Sequence, residues 1–153
     1  MSPVLEKSLA PAPWAPEGPA TGNAHTTQEI AVIFTSIEAT LSALREAGHL
    51  AGRLNARLAL IVPQLVPYPL PLTHPPVSGE FNEKRFCVMA GDCRVETTVR
   101  ICLCRDRDVA LEAILKPHSL VVIGGHGHWW HHPEKRLAQR LRRAGHTVVL
   151  AEA

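Results

Sequence analysis

The chain is poor in aromatic residues: among 153 positions there are three Phe, one Tyr and three Trp. It has no apolar run near the roughly 18 residues of a membrane span, which excludes a helical membrane protein. It has little net charge, +2 with the histidines neutral, too little to argue for nucleic acid as the main partner. It has no CxxC pair, so the usual redox and zinc-knuckle spacings are missing. It also lacks a basic start followed by a continuous apolar core, the mark of a secretory signal. Without export, Cys87, Cys93, Cys102 and Cys104 are expected as free thiols in a reducing cytoplasm. No GxSxG turn and no paired carboxylates in a glycine loop occur, so no catalytic constellation is visible and no enzyme is expected.

What remains is ordinary for a soluble globular domain, 46% hydrophobic and 20% charged. The length suits one domain, for which roughly 100–200 residues is usual. Two residue types stand in excess, with 13 Pro and 9 His, and both are clustered. Pro3, Pro11, Pro13, Pro16 and Pro19 share a stretch with many alanines. Proline removes backbone donors and fixes φ, so residues 1–27 are expected to form a flexible tail that neither pairs into a sheet nor holds a helix. Residues 28–153 are expected to form the folded domain.

Within that domain, apolar β-branched runs alternate with helical stripes. Ile30 to Thr35, Leu58 to Val62, Glu96 to Cys104, Ser119 to Ile123 and Thr147 to Leu150 read as strands. Ser36 is placed to cap a helix, with Glu38 in its first turn. Ile37, Leu41, Leu44, Ala47, Ala51 and Leu54 make one stripe on that helix, and Asn55 suits its left-handed end. Pro63, Pro67, Pro69, Pro71, Pro75 and Pro76 predict an extended loop. A short helix is expected over 79–90, with Phe81, Arg85, Val88 and Met89 as contacts. Another runs over 106–115, with Val109, Ala110, Ala113 and Ile114 inward. The last begins at Pro133, where the missing N–H is harmless, buries Leu137, Ala138, Leu141 and Ala144, and closes at Gly145. Strands separated by helices predict an α/β domain of three layers around a five-stranded parallel sheet. In such sheets a ligand sits beyond the carboxyl ends of the strands, where the winding direction switches. That place would be built from Thr35, Ser36 and the loop Gly124-Gly125-His126-Gly127.

The βαβ opening, the run Val121-Val122-Ile123-Gly124-Gly125-His126-Gly127 and the terminal helix and strand together resemble the universal stress protein family, over roughly Ile30 to Ala153. The resemblance implies a Rossmann-like sandwich of the adenine nucleotide alpha hydrolase type, and often a homodimer through the last strand. It also implies ATP as the candidate cofactor. Members that bind nucleotide carry G-x-x-G, nine residues, then G-[S/T], whose backbone N–H groups and hydroxyl cradle phosphates beside a helix start. Gly124 and Gly127 match the first half, but the second half falls on Leu137 and Ala138. Such members also have an aspartate at the end of the first strand, where this chain has Thr35 and Ser36. Gly124, Gly127, Thr35 and Ser36 are therefore a residual nucleotide site. The expected function is a non-enzymatic stress-response domain that works by protein association, with weak or no ATP binding and no resident cofactor. The protein partner itself is unknown, and neither nucleic acid nor a membrane is expected as one.

Two alternatives stand beside it. One is a nucleotide-binding switch that uses the residual site. The other is a metal- or redox-responsive module built on His126, His128, His131 and His132, since neutral imidazoles bind zinc, copper and nickel. Pro133 disfavours a helical His132, however, and Glu134 is the only acidic partner nearby, so no metal site is assigned. Trp129 and Trp130 in the same loop are expected to fill the space left by phosphates or to form a partner patch.

Overall fold

A computed structural model describes residues 5–9, 28–73, 79–91, 93, 95–126 and 133–152. Its elements run in the order β1 (Leu5–Leu9), β2 (Glu29–Ile33), α1 (Ile37–Leu54), β3 (Arg57–Leu65), α2 (Gly79–Gly91), β4 (Thr97–Cys104), α3 (Arg107–Ile114), β5 (Leu120–Gly125), α4 (Pro133–Arg143) and β6 (Thr147–Glu152). The strands form one sheet in the order β1-β4-β3-β2-β5-β6. From β4 to β6 every pairing is parallel, as expected for five strands joined by helical crossovers.

Alternation along the strands separates two cores. Val32, Leu60, Ile101 and Val122 face the side covered by α1 and α2, with Ala43, Ala47, Phe86 and Met89 packed on them. Ile33, Ile61, Cys102 and Ile123 face the other side, with Leu111 of α3 and Leu137, Ala138 and Leu141 of α4. This is the three-layer α/β architecture, with the sheet buried on both faces.

The start of the chain corrects one expectation. Leu5–Leu9 pairs antiparallel with β4, Leu5 opposite Leu103 and Leu9 opposite Val99, so part of 1–27 joins the sheet. These residues lie between Pro3 and Pro11 and keep every backbone donor, which an edge strand requires. Residues 10–27 lie outside the described residues.

A second correction concerns Pro63, which was expected to begin the proline loop. Strand β3 continues through it to Leu65, with Pro63 opposite Cys102. Arg57 N donates to Gln28 O and Phe34 N to Ile61 O, whereas Leu58 N donates to Glu96 O. Odd-numbered residues of β3 therefore face β2 and even-numbered ones face β4. Pro63 faces the β2 side beyond the end of β2 at Ile33, where no donor is needed.

The helix ends follow their sequence signals. Ser36 caps α1, accepting from Ala39 N, and Asn55 ends it at φ 51°. Asp106 caps α3, accepting from Asp108 N at 2.9 Å and Val109 N at 3.1 Å. Gly145 closes α4 with φ 96°.

The buried faces differ from the expected stripes. Helix α1 buries Ala39, Thr40, Ala43, Leu44, Ala47 and Ala51, while Ile37 and Leu54 are exposed. Small residues face the sheet because α1 approaches it closely. Helix α2 buries Phe86, Met89 and Ala90, leaving Val88 and Arg85 out. Helix α3 buries Ala110 and Leu111, and Val109 and Ala113 face outward. On α4, Leu137, Ala138 and Leu141 are buried as expected, and Ala144 is exposed.

Candidate functional site

From β2 the chain steps to β3 and β4 in one direction, then returns to place β5 and β6 on the other side. The winding reverses between β2 and β5, so their carboxyl ends mark the switch point. Thr35, Ser36 and Gly124 meet there, as the sequence suggested, with the exposed His126 just beyond. Gly127 and the histidine- and tryptophan-rich residues 128–132 lie outside the described residues.

The polar groups at this point are largely engaged by the protein itself. The Thr35 hydroxyl donates to Gly124 O at 3.0 Å, extending the link between β2 and β5 past the last ladder pair. The Thr35 backbone N–H donates to the fully buried Thr40 hydroxyl at 3.2 Å. The Ser36 oxygen accepts from Ala39 N at 3.3 Å. Of the two side chains expected to meet a nucleotide, one has used its only proton and the other is fixed as a helix cap. A phosphate needs donors, and these side chains leave it the Ser36 hydroxyl proton alone.

Gly124 has a packing reason to be glycine. A Cβ there would stand 1.8 Å from the Ala39 carbonyl oxygen and 2.4 Å from its carbon. The first turn of α1 therefore rests directly on the β5 backbone. At Gly125, on the other face, an added Cβ would touch the Glu134 side chain at 3.8 Å. The aliphatic stem of Glu134, in the first turn of α4, thus lies beside Gly125 and takes up the space over that face of the glycine turn.

Leu137 and Ala138 occupy the positions that the nucleotide motif gives to glycine and a hydroxyl. Both are fully buried in the α3/α4 core. Helix α4 begins at Pro133, so these positions sit a turn inside the helix and not at its start. Side chains there face the sheet and cannot reach a ligand at the helix end.

Sequence reasoning missed Thr40 and Arg105. Arg105 reaches from the end of β4 into the proline loop, donating to Val66 O at 2.7 Å and Leu70 O at 2.6 Å. Its guanidinium also lies 4.1 Å from the Tyr68 ring centroid. A cation 39 and 35 residues away from its carbonyl partners leaves no local pattern to read. Cys102 and Cys104 are both buried, and burial, with Asp106 adding to it, pushes the Cys104 thiol up. A raised pKa makes a poorer thiolate and hence a poorer ligand. Among the described residues, no three His, Cys, Asp or Glu groups are close enough to hold a metal ion. None of the helices formed by those residues is long and apolar enough to cross a membrane.

Fold and switch point together define a doubly wound α/β domain of the Rossmann-like class. More particularly, the fold is that of the universal stress proteins. The chain is similar to the crystal structure of a protein from the universal stress protein family from Burkholderia pseudomallei, at 19% identity and a TM-score of 0.52, over 86% of this chain and 100% of that one. At that identity the likeness speaks for the fold. No known family profile and no curated protein matches the chain in sequence.

Proposed function

We propose that this chain is a non-enzymatic stress-response domain that acts in the cytoplasm by protein association and binds ATP weakly or not at all. The observation that supports this most directly is the use of the switch-point groups for folding: Thr35 on Gly124 O, Ser36 on Ala39 N, and Glu134 against Gly125. The test is thermal unfolding with and without millimolar ATP and magnesium. A nucleotide present at about a hundred times its Kd would add about 2.7 kcal/mol to stability. The expected result is an unchanged Tm. A rise of several degrees would overturn the reading and favour a nucleotide-binding switch.

The association is proposed to be a homodimer through β6. Among the described residues this strand has a neighbour only on its β5 side. Thr147 N donates to Ser119 O, so Thr147, Val149 and Ala151 face β5, while Val148, Leu150 and Glu152 turn their backbone outward. Arg142 already donates to Val148 O at 2.9 Å, which leaves the groups of Leu150 and Glu152 as the open part of the edge. Leu150 is also an exposed hydrophobe. Leu150→Pro removes an outward donor while sparing the ladder to β5, a substitution an edge strand tolerates. Sedimentation should give a dimer for the wild type and a monomer for the variant; a monomeric wild type at tens of micromolar would refute this part.

A further inference from the structure

A cavity of about 490 Å³ opens between α1, α2 and the start of β4, away from the switch point. Its volume falls within the roughly 300–1,000 Å³ usual for small-molecule sites. Leu44 and Met89, both buried, form its floor, and Leu41, Cys93 and Val95 its sides. Methionine adapts its shape readily to an apolar guest. At the mouth stand Arg45 and His49, one turn apart on α1 and both exposed. Neither has a hydrogen bond or ion-pair partner among the described residues, whereas Arg57, Arg105, Arg140 and Arg142 all do.

Gly48 lines the same cavity in mid-helix. A glycine there weakens a helix by roughly 0.5–1 kcal/mol relative to alanine. No close approach requires it, because a Cβ at this position would meet nothing within 4 Å. What its missing side chain does provide is the open space of the cavity.

We infer that this cavity binds a free amphiphilic carboxylate of the fatty-acid type, its chain lying over Leu44, Gly48 and Met89 and its head group on Arg45 and His49. An apolar floor selects an alkyl chain, and a guanidinium at the rim with no partner among the described residues selects a carboxylate, which it can grip with two parallel hydrogen bonds. Charge complementarity is what chooses this occupant over a neutral or cationic one.

The full chain is titrated with dodecanoate, dodecanol and dodecylammonium, each below its micellar concentration, by calorimetry and thermal shift. Dodecanoate should bind saturably and raise Tm, with the alcohol and the amine at least tenfold weaker. Arg45→Glu, at an exposed position, should keep the fold and weaken dodecanoate at least tenfold. Gly48→Leu should fill the cavity and abolish binding without lowering Tm. Equal binding of the three probes, or no binding of any, would overturn the inference. So would full binding by Arg45→Glu, or binding that emerges only when Trp14, the one aromatic residue of the early proline-rich stretch, is replaced in Trp14→Ala, which would make the chain's own early segment the occupant. Capture by phosphatidylglycerol vesicles without a response to dodecanoate would assign the rim to a membrane instead, and would also overturn it.

Discussion

Gly124 and Gly48 both lie at the surface of helix α1, one supplied by strand β5 and the other by the helix itself. At Gly124 an added Cβ would stand 1.8 Å from the Ala39 carbonyl oxygen, and at Gly48 it would meet nothing within 4 Å. Around Gly124, the Thr35 N–H and hydroxyl donate within the protein, and the Thr40 and Ser36 oxygens accept from it. Around Gly48, Arg45 and His49 stand at an open cavity with no partner among the described residues. The same helix therefore has its first turn closed onto β5 and, beside Gly48, a face that borders an open cavity. A glycine in a family-like loop is not thereby a ligand glycine; what surrounds its absent side chain decides which it is.

The strongest way to break that comparison is to rebuild the phosphate motif. Leu137→Gly together with Ala138→Ser restores the residue types that bind nucleotide in the family that this chain resembles. Because both side chains are buried inside α4, the change opens a cavity and places a glycine in a helix. The expected loss is about 4 kcal/mol, from about 2–5 for a leucine truncation plus about 1 for the glycine. Chemical denaturation measures it, and calorimetry with ATP and magnesium should show no binding gained. A stable double variant that binds ATP would mean that the switch point is open after all.

Gly124→Ala comes next. The clash is with backbone, which cannot rotate aside, so α1 must move off β5 and disturb the Thr35 hydrogen bond. Overpacking of this kind costs about 3 kcal/mol, or roughly 6–12 °C in Tm for a chain of this size. A loss below about 1 kcal/mol would show that α1 does not rest on the strand as described. Ser36→Ala, which removes only the cap on Ala39 N, should cost about 1 kcal/mol. It also tests whether the Ser36 oxygen is held there for folding.

Local chemistry was legible in the sequence wherever a residue acts on its own neighbours. Ser36 as a cap, Asn55 and Gly145 as helix ends and Pro133 as a helix start all depend on the backbone within a turn. The alternation of strands and helices was likewise enough for the fold class. What was not legible depends on partners distant in sequence. Ile37 and Leu54 look like core by spacing, yet Ala39 and Ala43 are buried in their place, because β5 presents a glycine that α1 approaches. Pro63 looked like the start of a loop, but sits in a strand whose neighbour on that side has already ended. Leu5–Leu9 looked like tail, but β4 offers it an edge. At the candidate site, the positions of Thr35, Ser36 and Gly124 were foreseen. The Ser36 cap was foreseen as well, but the use of the Thr35 hydroxyl within the fold was not, since it bonds to a residue 89 positions away.

The smallest effect is the most discriminating for the comparison of the two glycines. Gly48→Ala adds one methyl group to open space and removes a flexible residue from the middle of α1. It should stabilise the protein by about 0.5–1 kcal/mol, because alanine loses less backbone entropy in a helix than glycine does. The sign is opposite to that at Gly124, although the substitution is the same and the helix is the same. Denaturant midpoints of the two variants, at unchanged m-value, measure both signs on one scale. If Gly48→Ala destabilises instead, something outside the described residues already packs on that surface, and the cavity is occupied in the free protein. If it stabilises, the glycine has been kept at a position where the fold would be better served by alanine. That is the pattern expected when a site trades stability for room.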